Sequence, residues 1–186
     1  MSQPLKFRVL IPPLCAGIAL LVGTGAASAQ ATAMQSAAKV SSADKAFVDK
    51  AASGGMAEIE MSKLAQQKAS NDQVKQFGTH MVDDHTHAAD ELKQVATSKG
   101  LTLPSDIDAQ HKSKMARLEK LSGAQFDRAY MDDMVADHKA VVAEFAKQAK
   151  SGSDADLKSF ASKTLPTLQE HLTMAESTDR AVKNGK

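Results

Sequence analysis

One glutamate and three histidines interrupt the apolar positions of four segments that have helical periodicity. They are Glu58, His85, His138 and His171. Each follows apolar or small residues spaced three or four apart, which is the spacing of one face of an α-helix. Each also lies within about three residues of the middle of its segment, or roughly 5 Å at the helical rise. Because the midpoints of bundled helices lie at one level, the sequence predicts that the four side chains meet at the bundle axis.

The four side chains are of the types that form a transition-metal site. Neutral imidazole nitrogens and a carboxylate suit zinc, and they are acceptable for copper or iron. A buried charge without a partner is unfavourable, so the groups must pair with one another, hold water or hold an ion. A metal-free hydrogen-bonded cluster is therefore the alternative interpretation. Four further residues are candidates for orienting the imidazoles from outside, namely Asp84, Asp127, Tyr130 and Asp137.

The apolar periodicity predicts four long helices and one short one. The long helices are expected over about 44–69, 71–99, 124–150 and 154–182, and the short one over about 105–122. Ser70 and Ser153 are the expected N-caps of the second and fourth long helices, and Pro166 falls inside the fourth. Amphipathic helices with short connections indicate an all-α, up-down four-helix bundle, with the short helix between the second and third long helices.

A five-residue pattern, Met-Val-x-Asp-His, occurs in both the second and the third long helix. The copies are Met81–His85 and Met134–His138. Duplication of a helical hairpin would produce such a repeat, although a match of this length also arises by chance.

The N-terminal segment 1–29 has the features of a signal peptide. Basic residues precede an apolar stretch over 9–26, which ends in Ala27-Ser28-Ala29, a small-x-small cleavage pattern. Prolines and glycines interrupt the stretch, so it falls short of the roughly 20 apolar residues that span a bilayer. We therefore expect cleavage after Ala29, a flexible leader over 30–42 and a bundle domain over 43–183. The mature protein would be periplasmic or otherwise exported, with no transmembrane segment, and outer-membrane association stays open.

Charge and cysteine content exclude several functions. The chain has 23 basic and 22 acidic residues, and two of the basic ones, Lys6 and Arg8, belong to the predicted signal peptide. A mature chain without basic excess is a poor match for nucleic acid. The only cysteine, Cys15, also lies in the signal peptide, which excludes a cysteine nucleophile. No Ser-His-Asp arrangement or phosphate-binding loop is evident, so a metal-centred reaction is the one enzymatic possibility. A metal-free module that binds another envelope protein is the non-enzymatic alternative.

Several short motifs together resemble one family. They are Phe47-Val48 with Gly55 and Glu58, Met81-Val82-Asp83-Asp84-His85-Thr86, Phe126-Asp127 with Tyr130, Met134-Val135 with His138, and Leu165-Pro166 with His171-Leu172. With them the chain resembles the domain-of-unknown-function 4142 family, whose members are often labelled predicted outer membrane proteins and placed among ferritin-like folds. The resemblance implies a ferritin-like four-helix bundle and an envelope location, with no established activity. Di-iron ferritin-like proteins use Glu-x-x-His motifs, which this chain lacks, so a single-metal or metal-free site fits it better.

Overall fold

The computed structural model describes residues 40–185, which form five α-helices. They are α1 (Ser42–Lys68), α2 (Asp72–Ser98), α3 (Ala109–Leu118), α4 (Gly123–Ser151) and α5 (Ala155–Lys183). This confirms the expected all-α bundle with one short helix between the second and third long helices. The predicted signal peptide and residues 30–39 of the predicted leader lie outside the described residues. The last residue of that leader, Ser42, already belongs to α1.

The four long helices form the bundle, and each is antiparallel to its two neighbours. Three-residue connections join α1 to α2 and α4 to α5, while α2 also packs against α5 and α1 against α4. The segment that contains α3 runs back along α1, so that α4 begins at the same end of the bundle as α2. One longer crossover of this kind is typical of ferritin-like folds. Within residues 40–185, no helix has the length and apolarity that crossing a membrane requires.

The helix starts differ from the sequence predictions by one or a few residues. Asn71, not Ser70, caps α2, because its side chain accepts hydrogen bonds from the first-turn backbone N–H groups. Asp154, not Ser153, caps α5 in the same way. The short helix α3 begins only after Asp108, whose carboxylate accepts from the backbone N–H of His111.

Two buried carboxylates connect the α1–α2 hairpin to the α4–α5 hairpin. Asp127 of α4 accepts from the backbone N–H groups of Ser70 and Asn71 in the α1–α2 connection, both at 3.1 Å. Asp44 of α1 accepts from the backbone N–H groups of residues 153 and 154 in the α4–α5 connection, also at 3.1 Å. Each hairpin thus holds the turn of the other through a charged hydrogen-bond acceptor.

The reciprocal contacts give the two hairpins the same arrangement, in which α1 corresponds to α4 and α2 corresponds to α5. Asn71 and Asp154 are equivalent caps, and Phe77 and Phe160 are buried six positions after them. The repeated Met-Val-x-Asp-His pattern lies instead on α2 and α4, which are not equivalent under this relation. The duplication that would explain the pattern is therefore not the one that relates the two hairpins.

A polar layer divides the core into two apolar clusters. One cluster surrounds Phe77, Tyr130 and Met134, and the other surrounds Phe47 and Phe160. The buried side chains between them are Glu58, His85, His138 and His171. The bundle therefore places one ionisable residue from each long helix at the same level, as the helix midpoints predicted.

Candidate metal centre

Each of the four long helices contributes one side chain to the polar layer. Glu58 comes from α1, His85 from α2, His138 from α4 and His171 from α5, and all are at most 6% exposed. Each occupies a position where its helix otherwise presents apolar residues to the core. The antiparallel packing of the long helices brings these mid-helix positions to a common level.

The three imidazoles form a compact triad. Each of His85, His138 and His171 offers one ring nitrogen that lies within 4.8 Å of those of the other two. The ring centroids are 5.3 Å apart for His85 and His171, 5.5 Å for His138 and His171, and 5.9 Å for His85 and His138. Three nitrogens at this spacing can surround one ion after small side-chain adjustments, since metal–nitrogen bonds are about 2.0–2.1 Å long.

Two rings have one nitrogen held by a protein acceptor and the other free. His138 Nδ1 lies 2.9 Å from the backbone carbonyl oxygen of Met134, and His171 Nε2 lies 2.8 Å from Asp84 Oδ2. Donation from these N–H groups leaves His138 Nε2 and His171 Nδ1 as lone-pair nitrogens. Both atoms are buried without a hydrogen-bond partner, and so is His85 Nε2.

Glu58 lies on the opposite side of two rings from their free nitrogens. Its carboxylate oxygens are 3.4 Å from His85 Nδ1 and 3.6 Å from His138 Nδ1. The group of three potential ligands does not include Glu58. The sequence placed Glu58 among the ligands, whereas its carboxylate lies beside the Nδ1 atoms of His85 and His138, away from their free nitrogens.

Burial controls the protonation of this layer. Burial lowers the pKa of His85 to about 3, with the neighbouring His171 adding to the shift. Burial also lowers the pKa of His138, although the charge of Glu58 opposes the change. Burial raises the pKa of Glu58, and Asp137 raises it further while His138 lowers it. His85 and His138 are therefore neutral near pH 7, which is the form that binds metal ions.

Of the four residues predicted to orient the imidazoles, only Asp84 contacts one of these rings, that of His171. Asp127 holds the α1–α2 connection, and Tyr130 shares a 2.8 Å hydrogen bond with Ser62. Asp137 forms an ion pair with Lys114. The reason is position along α4: Asp127 precedes His138 by eleven residues, or about 16 Å, and Tyr130 precedes it by eight, or about 12 Å. The side chain of Asp137 points about 100° away from that of His138 around α4, because the two residues are adjacent in sequence.

One orienting group was missed by sequence reasoning. The backbone carbonyl of Met134 lies one helical turn before His138, where a ring nitrogen of the histidine reaches it. No residue type signals such an acceptor, since every helical residue has a carbonyl. The other histidines do not join the triad: His80 and His87 are exposed on α2, and His111 lies on α3 beside Asp108.

Solved structures with a similar fold include two helical proteins. A crystal structure of a DUF305 fragment from Deinococcus radiodurans matches with a TM-score of 0.66 at 13% identity, covering 76% of this chain and 98% of that chain. CopM in the Cu(II)-bound form matches with a TM-score of 0.63 at 15% identity, covering 74% of this chain and 95% of that chain. At these identities the similarity shows a shared fold.

Sequence comparison identifies the family. No curated protein shows significant similarity to the chain. The pattern of the family described as Domain of unknown function (DUF4142) matches residues 29–178, which include all five helices except the last turn of α5. The chain therefore belongs to the DUF4142 family.

Proposed function

We propose that this protein is an exported metal-binding bundle that holds a single transition-metal ion through three histidines. The ligand atoms are His85 Nε2, His138 Nε2 and His171 Nδ1. Asp84 accepts the Nε2–H of His171 and the Met134 carbonyl accepts the Nδ1–H of His138, which fixes the tautomers of these two rings, while the Glu58 carboxylate lies beside the Nδ1 atoms of His85 and His138. The protein would buffer or sense zinc, copper or iron in the cell envelope.

The observation that carries the proposal is the set of three buried imidazole nitrogens without hydrogen-bond partners. A buried polar atom left unpaired costs about 1–3 kcal/mol. Three such atoms from three helices, with ring centroids within 5.9 Å of one another, would be a large combined cost in a metal-free packing cluster. A bound cation satisfies all three lone pairs at once. This favours metal binding over the interpretation that the layer only fixes helix register.

Copper is the first ion to test. Neutral imidazoles suit copper, zinc and iron alike, so the ligand set does not separate them. A similarly folded protein, CopM, is described in a Cu(II)-bound form, which supports copper for this bundle too. Three protein ligands also leave coordination positions open to water, as in sites that exchange ions or react.

Export is part of the same proposal. The basic start, the apolar stretch and the Ala27-Ser28-Ala29 pattern support cleavage after Ala29 and release into the periplasm. A histidine site without cysteine suits an oxidising compartment, since no thiol is available for oxidation.

The test compares two histidines on one helix. His85→Ala removes a buried ligand, whereas His87→Ala removes an exposed imidazole two residues away. We expect wild-type protein and the His87→Ala variant to take up one copper or zinc ion per chain, measured by elemental analysis after dialysis. His85→Ala should lose most of that uptake. Folded wild-type protein that takes up no copper, zinc or iron would refute the proposal.

A further inference from the structure

Methionine is unevenly distributed between the two apolar clusters of the core. The cluster around Phe77 includes six methionines, four of them buried and two partly buried, namely Met61, Met81, Met131, Met134, Met115 and Met174. The cluster around Phe47 consists of phenylalanine, leucine, valine and alanine, and no methionine of residues 40–185 belongs to it. Methionine that only fills gaps in a core would not be restricted to one side of the polar layer.

Four of these methionines lie one helical turn from the polar layer, one on each long helix. On α2 and α4 the methionine comes four residues before the histidine, and on α1 and α5 it comes three residues after the layer residue. In helix order the four are Met61, Met81, Met134 and Met174. Because α1 and α5 run opposite to α2 and α4, both placements lead to the same side of the layer. The four therefore form a second level, about 4.5–6 Å from the first and on the same helix faces.

The histidine triad borders this methionine level. The His138 ring lies 6.5 Å from the ring of Phe77, which belongs to the cluster that contains the methionines. Because His138 Nδ1 lies 2.9 Å from the Met134 carbonyl oxygen, the free Nε2 points away from the α4 backbone and into the bundle. Met81 and Met134 are 0% exposed. A methionine side chain is unbranched and has three rotatable bonds, so its sulfur can move over the distance of one turn.

Thioether sulfur and imidazole nitrogen differ in the ions that they prefer. A thioether is a soft ligand that selects Cu(I), whereas imidazole suits copper, zinc and iron alike. A site with three imidazoles and a neighbouring thioether can therefore hold copper in both oxidation states. Zinc would use the imidazoles alone, since the thioether offers it little.

We propose that the histidine triad also binds Cu(I), with the sulfur of Met81, Met134 or Met174 as the fourth ligand. Cu(I) binding here rests on the metal site proposed above, and it adds the ligand that selects copper over zinc. Cu(II) and zinc bind to the three imidazoles and water, whereas Cu(I) binds to the three imidazoles and the sulfur. Met61 is excluded from this role, because its neighbour in the layer is Glu58 and not a histidine.

The test compares Cu(I) with Zn(II) binding in the wild type and in a variant that combines Met81→Leu, Met134→Leu and Met174→Leu. Leucine keeps the volume and apolarity of methionine without its sulfur, and such exchanges are usually tolerated in a core. Met131→Leu is the matched control, because Met131 is equally buried but lies seven residues, or about 10 Å, before His138. Affinity is measured by competition with chromophoric chelators at fixed pH, without oxygen for Cu(I).

The two ions must respond differently to the loss of sulfur. We expect the combined variant to bind Cu(I) at least tenfold more weakly than the wild type and Zn(II) within threefold of it, and Met131→Leu to bind both as the wild type does. Wild-type Cu(I) affinity in the combined variant, or equal losses for both ions, would overturn Cu(I) binding through methionine. The triad itself would stand if the wild type binds Zn(II). Wild-type protein that binds neither ion would refute the metal site and Cu(I) binding together.

X-ray absorption at the copper edge gives a second measurement that needs no variant to fold. The Cu(I)-loaded wild type should show sulfur as well as imidazole nitrogen bound to copper, and the Cu(II)-loaded protein should show imidazole nitrogen without sulfur. Cu(I) bound by nitrogen alone would overturn the proposal.

Discussion

Asp84→Ala should weaken metal binding although Asp84 contributes no ligand atom. Its Oδ2 lies 2.8 Å from His171 Nε2, which keeps the proton on that nitrogen and the lone pair on Nδ1. Without the carboxylate, His171 can place its proton on Nδ1 or rotate its ring away from the ion. Loss of such an orienting partner typically lowers metal affinity 10–100-fold, or about 1.4–2.8 kcal/mol.

The fold itself should tolerate this substitution. The Asp84 side chain is 47% exposed, so solvent screens its interaction with His171 and the stability of the metal-free protein changes little. Affinity would be measured by competition with a chromophoric chelator for Cu(II) and Zn(II) at fixed pH. Asp83→Ala is the matched control, because this neighbouring aspartate is exposed and points about 100° away around α2.

The two aspartate variants must differ for the reasoning to hold. We expect Asp83→Ala to bind metal as the wild type does, and Asp84→Ala to bind it at least tenfold more weakly. Wild-type affinity in both variants would refute the role assigned to Asp84, and with it the tautomer assigned to His171.

Three further predictions concern stability, each measured by thermal or denaturant unfolding followed by circular dichroism. Asp127→Ala should cost about 2–4 kcal/mol, because this buried carboxylate accepts two backbone hydrogen bonds; a loss below 0.5 kcal/mol would contradict that role. The metal-free protein should lose stability as the pH falls from 6.5 to 5, because burial lowers the pKa of both His85 and His138 and the unfolded chain then takes up protons that the folded chain does not; Glu58, whose pKa burial raises, contributes in the opposite direction, and stability that increases over this range would contradict neutral buried imidazoles. Gly78→Ala should destabilise the protein by about 1–3 kcal/mol, because the added Cβ would lie 3.0 Å from a backbone oxygen of α1. Gly54→Ala should stabilise it by about 0.5–1 kcal/mol, because no atom lies within 4 Å of the added Cβ. A change in stability of the same sign in both variants would contradict the close packing of α1 on α2.

The level of the polar layer could be predicted from sequence, because it depends only on position along each helix. Glu58, His85, His138 and His171 each interrupt an apolar face near mid-helix, and the structure places them together between two apolar clusters. Helix length and periodicity are local properties, which explains why the bundle itself was predicted well.

The assignment of roles within the layer could not be predicted in this way. Whether Glu58 faces the free ring nitrogens or the opposite side of the rings depends on side-chain rotamers and on which helices are neighbours. The spacing of residues along the sequence specifies neither. Asp84 points about 100° away from the adjacent His85 around α2, and this direction leads to His171 on α5, which the spacing within α2 does not show. Asp127 could have been excluded from sequence alone, since it lies three helical turns from His138.

X-ray absorption at the metal edge of the loaded protein tests the central claim most directly. The account predicts three imidazole nitrogens bound to one ion, at about 2.0–2.1 Å for zinc, from His85, His138 and His171. The His138→Ala variant should lose one of these three ligands or lose the ion altogether. A loaded wild-type protein whose ion is bound by fewer than two imidazoles, or mainly by carboxylates or methionine sulfur, would contradict the proposed site.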